Sequence, residues 1–177
     1  MSAKWTAPVG CPDHLRAPLE RAVNAYPEEH LDTPATGEVF KDVDEVEQRL
    51  LAFSLSQGFD IVKGRSEVNG LSPFATFQCI YHSKTTRNTR KLEEHIVIDQ
   101  ESGLITSHRK REATSVRRGG CEWCCKVSYK SVGRRGSGEK GWVLTIKSLE
   151  HSHPLSSNPL EFPRQRARLE EFQAALA

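Results

Sequence analysis

The chain has no long apolar run. Nowhere does it approach the ~18 consecutive apolar residues of a membrane-spanning helix, and its opening, MSAKWTAPVG, lacks the continuous apolar segment of a secretory leader. These absences lead us to expect a protein of the reducing cell interior with no membrane partner. Apolar residues are scarce overall, at 37% hydrophobic against 27% charged, so one modest core is expected from 177 residues. Catalytic signatures are missing too. There is no His-Glu-x-x-His, no Gly-x-Ser-x-Gly turn, no Walker-type phosphate loop and no paired carboxylate stretch to hold two catalytic metals. Glu150 beside His151 does not replace them, because neighbours on a strand face opposite ways. The expectation is a protein that is not an enzyme and has no small-molecule substrate.

What is present is a cluster of soft ligands. Five cysteines is an odd count, and in a reducing compartment a metal is favoured over a disulfide framework. Three of the five lie in Cys121-Glu-Trp-Cys124-Cys125, and 29 residues separate Cys121 from His151, which is followed by Ser152 and His153. Thiolate and imidazole together suit tetrahedral zinc. The charge is segregated as well. Residues 1–79 carry 7 Lys and Arg against 12 Asp and Glu, residues 80–150 carry 15 against 8, and the tail carries 3 against 3, all beneath a net charge of +2. A basic region that also holds most candidate ligands suggests a polyanionic partner.

Along the chain, Pro8, Pro12, Pro18, Pro27 and Pro34 interrupt residues 1–37, which reads as a mobile, Pro-rich lead with room for a short helix at 13–25. Cys11 has no partner there at a metal spacing and reads as a bystander. A helix is expected to start at Asp42, with Glu45 completing a capping box, to carry Val43, Val46, Leu50 and Phe53 on one face, and to stop at Gly58. In the strand that follows, Phe59, Ile61, Lys63 and Arg65 alternate with Asp60, Val62 and Gly64, so it starts apolar and emerges basic. Period two then places Phe77, Cys79 and Tyr81 on one strand face. A basic insertion at about 83–118 has room for a hairpin about residues 100–103.

The strand phase at the cysteine cluster groups Cys121, Trp123, Cys125, Val127 and Tyr129, and turns Cys124 outward with Lys126. Cys121 is therefore the better ligand and Cys125 a core residue, while a rival set using Cys121, Cys124, His151 and His153 stays open. Trp142, Leu144 and Ile146 form a further apolar row ending near the histidines. Residues 156–177 read as a linker and an appended short helix. The fold class expected is α+β: a small antiparallel sheet of four to five strands with one N-terminal helix.

The succession of a helix ending in Gly58-Phe59, a strand, Phe77-Gln78-Cys79, a basic stretch, Arg118-Gly119-Gly120-Cys121 with alternating aromatics, Trp142-Val143-Leu144 and His151-Ser152-His153 resembles the zinc domains of the WRKY and glial-cells-missing superfamily. The branch it is most similar to is the far-red-impaired-response type, found at the N-terminus of Mutator-like transposases and the transcription factors derived from them. The resemblance covers residues 38–155. It implies one structural zinc on Cys79, Cys121, His151 and His153, and a groove-entering strand at residues 59–68. The family usually has Asn where this chain has Ser152, its WRKYGQK heptapeptide is absent, and the 41 residues between Cys79 and Cys121 form a long insertion relative to plant WRKY domains.

Together these readings lead us to expect a nuclear, zinc-finger-like, sequence-specific binder of double-stranded DNA, either a transcription regulator or a transposase-derived module. Lys63, Arg65, Arg87, Arg90, Arg109, Lys110, Arg111, Arg117 and Arg118 are the candidate DNA contacts. The alternative is a zinc-stabilised adaptor that binds a protein partner and no DNA.

Overall fold

The computed structural model describes residues 4–82, 96–98, 105–108, 120–132, 138–162 and 165. The fold is α+β and is organised around helix α2 (Val43–Gln57), which starts and stops where its caps require. The Asp42 carboxylate accepts the Glu45 N–H at 2.8 Å, and Gly58 closes the helix at φ +80°, a left-handed conformation that a side chain would strain. Glu45 reaches back to the Lys41 N–H at 2.8 Å, one residue earlier than a capping box requires. Val43, Val46, Leu50 and Phe53 are buried as the helical period dictates. Leu51 joins the same core, and Leu55 is buried in a second one.

Beneath α2 lies a five-stranded antiparallel sheet in the order β1-β7-β6-β3-β2. Its strands are β1 (Val39–Phe40), β2 (Ile61–Glu67), β3 (Phe74–Cys79), β6 (Cys124–Ser131) and β7 (Lys140–Ser148). Strands β4 (Ile96–Ile98) and β5 (Ile105–His108) pair antiparallel as a separate two-stranded sheet, within the stretch where a hairpin was expected. Alternation sets the inner face: Ala75, Phe77 and Cys79 from β3, Cys125 and Val127 from β6, and Trp142 and Leu144 from β7 all enter the main core. Phe59 and Phe77, fully buried, each contribute roughly 1.5–3 kcal/mol by leaving water.

Strand β2 departs from simple alternation. Lys63 stands opposite Phe77 and Ser66 opposite Ala75, so Gly64 and Arg65 form a bulge across from Thr76. The bulge breaks the expected shared face of Lys63 and Arg65. Lys63 stays on the helix side, where its ammonium lies 3.9 Å from Glu47 of α2. The Arg65 guanidinium sits over the Phe74 ring, 5.8 Å from its centroid.

In the N-terminal stretch the short helix for which residues 13–25 left room is formed. Helix α1 (Asp13–Asn24) begins directly after Pro12, and a 3-10 turn at Glu28–His30 begins directly after Pro27. Those prolines precede helical turns, where a missing N–H costs little, and do not interrupt them. Pro18 lies inside α1, and the helix survives it by burying Leu15, Leu19, Ala22 and Val23 in a cluster shared with Ala7, Cys11 and Leu55. The chain before α1 is tied to it: the Ala7 N–H donates to Glu20 at 3.0 Å, and Asn24 exchanges two bonds with the Trp5 backbone at 3.0 and 2.9 Å. Buried Arg49 of α2 fastens the connection to β1, donating to Glu38 at 3.2 Å, the His30 carbonyl at 2.8 Å and the Asp32 carbonyl at 3.0 Å.

Candidate metal centre

Three chain segments meet at one corner of the sheet. Cys79 ends β3, Cys121 lies just before β6, and His151 and His153 follow β7. Backbone bonds carry the β3–β6 pairing out to both cysteines: the Cys79 N–H donates to the Trp123 carbonyl at 3.2 Å, and the Cys121 N–H to the Tyr81 carbonyl at 3.1 Å. The four side chains then converge, with one ligand atom from each lying within 4.8 Å of all the others. Cys79 Sγ is 3.2 Å from His153 Nε2, Cys121 Sγ is 3.3 Å from His151 Nδ1, and the two imidazole nitrogens are 3.2 Å apart. These residues lie close enough to bind a metal ion.

The surroundings are apolar and aromatic. Both cysteines are buried and both histidines half-buried. Phe59 packs against His151 at 4.3 Å between centroids, Trp123 lies nearly parallel to the same imidazole at 6.1 Å, and Tyr81 packs on His153 at 4.4 Å. Burial pushes the Cys79 thiol up to about 12, and the neighbouring Cys121 adds to that rise. It pulls His151 down to about 4, helped by the nearby His153, so at neutral pH this imidazole is uncharged and its lone pair is available. His153 Nδ1 lies 2.9 Å from the Pro154 carbonyl; an Nδ1–H donating to that carbonyl fixes the tautomer that leaves the Nε2 lone pair toward Cys79. His82 supports the other side, its Nδ1 2.7 Å from the Cys121 carbonyl.

The remaining cysteines stand apart. Cys125 is fully buried in the main core, and burial pushes its thiol to about 12. Cys124 is turned to the opposite face, its Sγ 3.9 Å from the Cys125 carbonyl, and does not join the convergent group. The rival set with Cys124 is therefore not assembled, for the reason strand phase suggested. Period two also marked Tyr81 as a neighbour of Cys79. No sequence signal marked Phe162 or Gln165, both buried here: Phe162 meets Tyr81 edge-on at 6.4 Å, and the Gln165 amide donates to the Phe59 carbonyl. Phe162 and Gln165, from the stretch expected as linker and appended helix, thus touch the aromatic residues of the site.

Of the candidate DNA contacts, Lys63 lies before the bulge on the helix side and Arg65 lies within it, over the Phe74 ring. Lys126, not singled out by sequence, joins Arg65 at Phe74, its ammonium 4.7 Å from the ring centroid. Arg87, Arg90, Arg109, Lys110, Arg111, Arg117 and Arg118 lie outside the described residues. No protein-family model, curated protein or solved structure matches the chain.

Proposed function

We propose that Cys79, Cys121, His151 and His153 hold one structural zinc ion, and that the sheet pinned in this way is a double-stranded DNA-binding module of the nucleus. The observation that carries the reading is the convergence of two thiols and two imidazoles from three separated segments. Their sulfur–nitrogen and nitrogen–nitrogen separations of 3.2–3.3 Å lie near the edges of a zinc tetrahedron, about 3.3–3.8 Å for ordinary zinc–ligand bonds. Two thiolates and two neutral imidazoles complete a closed shell, which suits a structural ion and leaves no position for a reactive water. The ion's contribution, on the order of 10 kcal/mol or more, would offset a thin core.

DNA is the partner that the basic side of the sheet supports best. The bulge in β2, an edge strand, sends Arg65 to the face opposite α2, where it and Lys126 of β6 flank the half-buried Phe74 of β3. Two cations held against one ring on an open sheet face suit adjacent phosphates, and a two-stranded β element fits the major groove. The resemblance to the transposase-derived branch of the WRKY and glial-cells-missing superfamily points the same way, toward sequence-specific binding and transcription regulation.

The test combines metal content, a salt titration and one variant. Purified protein should carry one zinc per chain, bind a selected duplex, and lose affinity steeply as salt rises. Arg65→Ala should weaken that binding about fivefold to a hundredfold with the fold intact, whereas Lys63→Ala, already facing Glu47, should cost less. A zinc-loaded protein that binds no duplex at low salt would support the adaptor reading instead.

A further inference from the structure

Each histidine of the metal group has a ring behind it, and the C-terminal segment contacts both ring-bearing residues, Phe59 through its backbone and Tyr81 through its ring. Phe59 backs His151 at 4.3 Å, and the Gln165 side-chain amide donates to the Phe59 carbonyl. Tyr81 backs His153 at 4.4 Å, and the fully buried Phe162 meets Tyr81 edge-on at 6.4 Å. The segment between is fastened as well. The Ser156 N–H donates to the Gly58 carbonyl at 2.7 Å, and Ser156 O comes so close to Gly58 that a Cβ there would collide with it. Gly58 thus serves twice, closing α2 and admitting the returning chain. The segment begins at Pro154, whose carbonyl lies 2.9 Å from His153 Nδ1.

We infer that residues 154–162 together with Gln165 form a latch that positions both imidazoles, with Phe162 and Gln165 as positioning residues for metal binding; the inference rests on the zinc reading above. The physical argument is that an imidazole binds a metal well only when its ring plane is held, and groups behind the ligands typically tune affinity by about 10–100-fold. Here the holding groups are the rings of two residues that the tail contacts, with the Pro154 carbonyl at its start. Coupling of this kind is reciprocal: if the latch strengthens metal binding, the metal must strengthen docking of the latch by the same factor.

The experiment compares full-length wild type, Phe162→Ala, Gln165→Ala and Leu19→Ala. Zinc affinity is measured by competition with a chromophoric chelator, the ligand field by cobalt substitution, and amide hydrogen exchange across residues 154–162 with and without zinc. We expect Phe162→Ala to lose about 10–100-fold in zinc affinity and to perturb the cobalt spectrum, Gln165→Ala to lose less in the same direction, and zinc to slow exchange in the segment. Leu19→Ala, which empties the separate N-terminal cluster, controls for general stability. A loss in Phe162→Ala no larger than in Leu19→Ala, or exchange that zinc leaves unchanged, would overturn the latch. A wild type that takes up no zinc would instead sink the zinc reading itself. Should Phe162→Ala fail to fold, Gln165→Ala and the exchange measurement decide alone.

Discussion

The corner that gathers Cys79 and Cys121 and the N-terminal cluster that encloses Cys11 both bury cysteine among apolar side chains, and burial is the main cause that raises the thiol pKa of Cys79 in one and of Cys11 in the other. Cys125, a core residue with no imidazole in its company, is pushed to about 12 just as Cys79 is. A raised thiol pKa therefore reports burial and does not identify a ligand. What separates the two regions is the company of the sulfurs. Cys79 and Cys121 face imidazole nitrogens at 3.2 and 3.3 Å, whereas Cys11 sits among Leu15, Leu19, Ala22 and Val23 with its sulfur 3.7 Å from the Pro12 carbonyl. One region is held by apolar packing and by hydrogen bonds to the chain before α1. The other gathers two thiols and two imidazoles close enough to bind a metal ion.

The comparison breaks most visibly when a candidate ligand is removed. Cys121→Ser and His153→Ala should each lose stoichiometric zinc and unfold the β core, because an ion contributing on the order of 10 kcal/mol matches the whole stability of a typical domain. Circular dichroism of both variants, beside wild type with and without chelator, reads the effect. Variants that keep a native spectrum, and a wild type indifferent to chelator, would show that the corner is held by packing like the N-terminal cluster.

Much of that corner was legible in the sequence because its determinants are local. Asp42 with Glu45 and Gly58 marked the ends of α2, and period two separated Cys121 and Cys125 from Cys124 without reference to any partner strand. Three features were hidden because they depend on contacts made at a distance. The bulge at Gly64 and Arg65 arises from the register against β3, which single-strand alternation cannot encode. At the N-terminal helix, for which the sequence left room at 13–25, the hidden part is the packing with Leu55 and Cys11 that lets it carry Pro18. Phe162 and Gln165 belong to a tail whose composition suggested a linker, and their role exists only once the chain returns to Gly58 and Phe59.

A smaller and graded effect should follow pH. Burial pushes the Cys79 thiol up to about 12, so a thiolate ligand forms there at neutral pH only by giving up its proton as the metal binds. Protons therefore compete with metal: apparent zinc affinity should fall as pH falls, by about tenfold per pH unit for each proton displaced. Zinc titrations at several pH values between 6.5 and 8.5, with proton release followed by an indicator, measure the slope. A flat profile with no proton released would mean that no thiolate ligand forms.

The smallest effect is expected at Cys11, and it sharpens the contrast from the other side. Cys11→Ser places a hydroxyl in an apolar cluster, which carries a desolvation cost, but the hydroxyl inherits an acceptor in the nearby Pro12 carbonyl. The net loss should be about 1 kcal/mol, seen as a modest fall in the urea midpoint with an unchanged slope. Zinc stoichiometry and the cobalt spectrum should be those of wild type, since Cys11 is not part of the convergent group of Cys79, Cys121, His151 and His153. If this substitution removed zinc, the two buried-cysteine regions would not be independent, and the ligand set would have to be redrawn to include the N-terminal cluster.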